Sequence, residues 1–140
     1  MSDIHESVTM VKSGIHNPAD PRHFMRVVEC TNTITACLGD VEVARSNQAL
    51  KVKEVGFDIY DPVIYFPRGD VNMSLLHKND KTTHCPLKGD TEYFDFKSGD
   101  QTQENLAWSY DRTIEIAAVL QDYIGFDTRF VQVTEFTVDA

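Results

Sequence analysis

From Phe24 onward the chain is written in short segments whose apolar residues alternate, each closed by Gly, Pro, Asn or Asp. Period-two alternation sends successive side chains to opposite faces of a strand, so the pattern confines the chain to sheets with one well-covered face. Only one window has helical spacing, and no strand–helix–strand alternation precedes it. A small antiparallel β domain with one helix packed on it is the architecture that follows.

The segments are easily placed. Met25–Cys30, Thr33–Leu38 and Val41–Arg45 read as strands, with Gly39-Asp40 as a turn between the last two. Lys51–Val55 alternates charged and apolar residues. Val63–Phe66 is a strand bounded by Pro62 and Pro67, and Asp70 can cap a short helical turn toward Leu75-Leu76. Thr91–Lys97, the turn Ser98-Gly99-Asp100 and Asn105–Tyr110 form the clearest hairpin. Ile114, Ala117, Ala118, Gln121 and Ile124 share one face of a predicted helix that Gly125 ends. Phe130–Phe136 is the last strand. Residues 1–22, polar and broken by Gly14, Asn17-Pro18 and Asp20-Pro21, read as an N-terminal tail, either disordered or laid across the surface. Residues 23–140 read as a single domain.

Composition limits the function. With 22 acidic residues against 13 Lys and Arg, the net charge is −9 and no basic stripe exists, which argues against nucleic acid as a partner. No apolar run has the length of a membrane span, and the start lacks the pattern of a signal peptide, so a cytoplasmic protein is expected. Cys30, Cys37 and Cys85 make an odd count without a CxxC pair, and free thiols are the expectation in a reducing compartment.

The residues that could carry chemistry gather between Tyr65 and Tyr110. Arg68 follows a proline at a strand end and can hold a carboxylate or phosphate, or pair internally with Asp70 or another acid. Cys85 lies beside His84 and three residues before Lys88, so it reads either as an activated nucleophile or as a packed thiol. Asp70 is an alternative base. Trp108 and Tyr110 share a strand face with Tyr93 on the partner strand, as core or as the wall of a pocket whose polar end is Arg68 and Lys88. His77, His84 and Cys85 lack the spacing of a metal site, and no metal is assigned. Asp40-Val41-Glu42 is a weak carboxylate pair with no phosphate-holding Gly-Ser turn before it.

Tyr65-Phe66-Pro67-Arg68-x-Asp70-Val71, Thr83-x-Cys85-Pro86-x-Lys88-Gly89 and Ala107-Trp108-x-Tyr110 occur in that order, with Leu75-Leu76 between the first two and Tyr123–Phe126 after them. Together they resemble the signature of the domain-of-unknown-function family 427, over roughly residues 26–130. The resemblance implies a small β structure similar to the β-tent, or Mss4-like, architecture. Several β-tent proteins hold zinc through paired CxxC motifs; none is present here, so that site is not carried over. The family also bears a nucleotidyltransferase label in places, which Asp40 and Glu42 do not support. Leu87 stands where the pattern commonly has an aromatic residue, and Asp111-Arg112-Thr113 replaces the usual proline.

The reading that best combines these residues is a protein that binds a small anionic molecule. Tyr65, Arg68, Thr83, Lys88, Trp108 and Tyr110 are the candidate ligand-binding residues. An enzyme using Cys85 or Asp70 in the same pocket, or a non-catalytic interaction module, are the alternatives. Nothing in these residues names a cofactor, and a homodimer stays open.

Overall fold

The computed structural model describes residues 10–137, and residues 1–9 and 138–140 lie outside it. Twelve strands follow one another among the described residues: β1 (Ile15–Asn17), β2 (Asp20–Glu29), β3 (Thr33–Leu38), β4 (Val41–Ser46), β5 (Leu50–Val55), β6 (Val63–Phe66), β7 (Leu76–Lys78), β8 (His84–Cys85), β9 (Gly89–Ser98), β10 (Gln101–Thr113), β11 (Ile124–Phe126) and β12 (Gln132–Phe136). Nine of them form one sheet in the order β1-β2-β5-β6-β11-β10-β9-β7, with β8 also paired to β9. The other three form a small sheet, β12-β3-β4. Every pairing is antiparallel. The mainly β expectation is met.

Alternation explains the two cores. Phe66, Phe94, Phe96, Leu106, Ala107 and Phe126 turn one face of the large sheet toward Ile34, Ala36, Leu38 and Val43 of the small one. The opposite parity supplies Met25, Leu50, Val52, Tyr65 and Tyr110, which Leu87, Ala117 and Leu120 cover. The large sheet is thus buried on both faces, once by a sheet and once by a turn and a short helical segment.

One local reading changes. The helix expected across residues 114–124 is a six-residue 3-10 segment, Glu115–Leu120. Its inward residues are Ile114, Ala117 and Leu120, spaced by three rather than 3.6, which is the 3-10 repeat. Ile124 and Gly125 belong instead to β11, between β6 and β10. Adjacent segments β2 and β3 do not pair with each other but lie in different sheets. Residues 10–22, read as a tail, contain β1, paired with β2, and the first residues of β2 itself.

The hairpin of β9 and β10 is in the expected place, but β10 is irregular. One register shift lies between Gln103 and Ala107, where Asn105 takes a φ of 53° and its N–H donates to the Asp95 carboxylate at 2.9 Å. A second lies between Ser109 and Arg112.

Candidate functional site

Lys88 is carried into the protein by a tight turn after β8. Its backbone N–H donates to the Cys85 carbonyl, and its own carbonyl accepts from Ile114 N–H. Gly89 follows with a φ of +125°, and a Cβ there would stand 2.2 Å from the Arg112 carbonyl oxygen, so only glycine fits. The Lys88 side chain is left 6% exposed. Its ammonium bonds the Glu54 carboxylate, lies 5.8 Å from the centre of the Tyr110 ring and stands 4.0 Å from Cys85 Sγ.

Glu54 joins this buried cation to the surface. Its second oxygen accepts from His23 Nε2 at 2.8 Å, and His23 Nδ1 is met by Asn17 Nδ2 at 3.4 Å. Burial pushes the Glu54 carboxyl up, but the bonds and charges of Lys88 and His23 outweigh it and leave Glu54 below its ordinary value. Strand phase explains why these groups meet. Met25 pairs with Glu54 and Val27 with Val52, so His23, Met25 and Glu54 share the face that buries Tyr65.

The aromatic residues brace the other end of the cluster. Leu50 pairs with Tyr65, Tyr65 with Gly125, Gly125 with Trp108 and Trp108 with Tyr93, which sets one row across four strand pairs. The Trp108 indole N–H donates to the Tyr65 hydroxyl at 3.3 Å, with the rings edge to face at 6.2 Å. Burial raises both the Tyr65 and Tyr110 hydroxyls well above the ordinary tyrosine value, so both stay neutral.

The expected residues therefore separate. Tyr65, Cys85, Lys88, Trp108 and Tyr110 come together in one cluster. Arg68 belongs to the opposite face of the sheet. It donates to Glu92 at 2.9 Å and to Ser109 Oγ at 3.3 Å, and lies 5.6 Å from the centre of the Phe94 ring. Asp70 is exposed and accepts from the Ser46 hydroxyl at 2.6 Å. Thr83 bonds to Thr91 at 2.7 Å and to the Tyr93 hydroxyl at 3.1 Å. Cys85 is half-buried, and all three cysteines are free.

Two residues that sequence reasoning passed over, Glu54 and His23, complete the cluster. The signal for both was parity. Glu54 follows Leu50 and Val52 on the apolar side of β5, and His23 precedes Met25 and Val27 on the same side of β2. Both border a pocket of about 340 Å³ with Asp20, Phe57, Tyr60 and Pro86. The loop carrying Phe57 and Tyr60 is tied back by Tyr60 N–H to the Glu54 carbonyl, and the Tyr60 ring rests on Gly56. Among the described residues no Lys or Arg lines this pocket.

Glu42, one acid of the weak carboxylate pair, is held by Arg45 at 2.7 Å, both at exposed positions of β4. Among the described residues no group of three or more His, Cys, Asp or Glu is placed to hold a metal ion. Nor is any helix among them long and apolar enough to cross a membrane. The model of one protein family matches residues 26–137, which takes in most of both cores and Lys88 with Glu54, and begins just after His23 and Met25. The chain belongs to the domain-of-unknown-function family DUF427. Its three motifs occupy distinct places in this DUF427 chain: Arg68 on one face of the large sheet, Lys88 and Trp108 on the other. A comparison with proteins of curated function finds no match.

Proposed function

We propose that this protein binds a small molecule in the pocket bordered by His23, Glu54 and Tyr60, and that the ligand presents a hydrogen-bond donor or a positive charge. What carries the reading is the Lys88–Glu54–His23 chain at the pocket wall. A buried ion pair adds little stability compared with apolar packing, so its value here is in fixing a charged wall beside a pocket. Asp20 adds a second carboxylate, and Phe57, Tyr60 and Pro86 supply apolar surface. The expectation of an anionic ligand rests on Arg68 and Lys88. Arg68 lies on the opposite face of the sheet and Lys88 stands behind Glu54, so neither reaches this pocket to hold an anion there.

A thermal-shift panel of primary amines, amino acids, nucleosides, carboxylates and sugar phosphates tests the reading. A ligand at 100 times its dissociation constant adds about 2.7 kcal/mol, a shift of several degrees at this size. The expected result is a shift from an amine-bearing class that Asp20→Asn and Tyr60→Ala both lose. Both positions are exposed, so the fold survives the changes. No shift from any class, or a shift indifferent to both variants, removes the proposal.

One observation favours a second reading, in which Cys85 acts as a nucleophile: its sulfur lies 4.0 Å from the Lys88 ammonium. Burial pushes the Cys30 thiol up, and Glu135 adds to the rise while Lys51 partly offsets it. Iodoacetamide at neutral pH should then modify Cys85 well before Cys30. Equal or slower labelling of Cys85 rules the nucleophile out.

A further inference from the structure

We propose that a second cleft, on the opposite face of β2 and β5, binds a small amphipathic carboxylate. The same strand phase that turns His23 and Glu54 inward turns Phe24, Arg26, Lys53 and Val55 the other way. Phe24 pairs directly with Val55, and Arg26 directly with Lys53. Two like charges facing each other across a strand pair repel and destabilise the pairing. Neither has a carboxylate partner among the described residues. Among the described residues Arg26 donates one bond, to the Lys12 carbonyl at 3.1 Å, which leaves guanidinium donors for another acceptor. In a chain with nine more negative than positive charges, adjacent cations without an acid between them are unexpected.

The surroundings give the ligand its other half. Arg26 and Lys53 border a cleft of about 360 Å³ whose walls are Val11, Phe24, Val55, Ile59 and Tyr60. Ile59 is 79% exposed, a large apolar side chain in water at the mouth of this cleft. Two acids stand at its border, Asp61 and Glu54, and the Glu54 carboxylate is already held by Lys88 and His23. A single negative head placed between Arg26 and Lys53 relieves their repulsion, and an apolar body laid along Phe24, Ile59 and Tyr60 removes that surface from water. This requirement for both a charge and an apolar body excludes inorganic anions as the intended occupant.

The test titrates octanoate into the intact protein by calorimetry, beside octylammonium and inorganic phosphate, with Arg26→Gln, Lys53→Gln, the double variant and Ile59→Asn. Octanoate binding is expected, weakened roughly two- to fivefold by each single charge change and lost in the double variant, with neither comparison compound binding. Ile59→Asn also weakens it. Without ligand, Arg26→Gln or Lys53→Gln should raise the melting temperature slightly, because repulsion is removed. Asp20→Asn leaves octanoate binding intact, because Asp20 lines only the pocket on the other face, and this separates the two sites. Octanoate that fails to bind at millimolar concentration overturns the proposal, as does binding indifferent to the double variant or matched by octylammonium. Concentration-dependent dimers that the double variant dissolves would assign the face to a second copy of the chain, and overturn it too.

Discussion

Trp108 lies against the backbone of Gly125: a Cβ built on that glycine would stand 2.8 Å from the indole Cε2. The two residues are direct partners between β10 and β11, so the indole occupies the space that a side chain would need. Gly125→Ala forces the indole off the Tyr65 hydroxyl, at a cost of about 1–3 kcal/mol. Urea unfolding should show the loss, and tryptophan fluorescence should shift as the ring moves.

Gly89 is held more strictly. Its φ of +125° and the 2.2 Å approach to the Arg112 carbonyl leave nothing flexible to yield. Gly89→Ala should cost about 3 kcal/mol or more and reduce the yield of folded protein. Gly99 at the hairpin turn has a φ of +59° and open space around it, so Gly99→Ala should cost only about 1 kcal/mol. Equal stabilities of the two variants would show that the turn before β9 yields.

Lys88→Ala leaves the Glu54 carboxylate half-buried and without its main partner, which should cost about 3–5 kcal/mol. Lys88→Met strands the same carboxylate, and adding Glu54→Leu to it should recover most of the loss of Lys88→Met, because an apolar pair of similar volume needs no compensation. A double-mutant cycle by chemical denaturation reads the coupling directly. Additive losses would mean that the ion pair contributes nothing as a pair.

Acid should act through the same carboxylate. The folded value of Glu54 lies below 4.5, its reference value. Its contribution to stability is therefore present above 4.5 and lost as the pH falls through the folded value. Asp95 contributes in the same direction, lowered by the Asn105 N–H and Asn79. Unfolding free energy measured from pH 6 down to pH 3 should fall, and the fall should be shallower in Glu54→Gln. Parallel curves for the two proteins would contradict this.

The strands were legible because alternation is a local property. Thr33–Leu38 and Val63–Phe66 match β3 and β6 residue for residue. The helix was misread because Ile114, Ala117, Ala118, Gln121 and Ile124 also satisfy a 3.6 period, and only the partners of β11 show that the chain extends at Ile124. Lys88 meets Tyr65, Trp108 and Tyr110, although the four come from three separate motifs. The separation of Arg68 from Lys88 was not legible, since neighbouring motifs say nothing about which face of a sheet each one reaches. Glu54 illustrates the opposite failure. Its charge marked it as exposed, whereas its phase with Leu50 and Val52 marked it as buried, and phase decided.

Tyr60 borders both the pocket beside His23 and the cleft beside Arg26. One aromatic ring on a single loop thus sets the width of two cavities that face opposite ways. Any molecule that fixes that ring in one cavity alters the space in the other, and thermodynamic linkage makes the effect mutual: each occupant changes the affinity of its counterpart by the same factor. The short connection between β5 and β6 is in this sense a coupling element, through which two ligands of opposite charge would sense each other without touching.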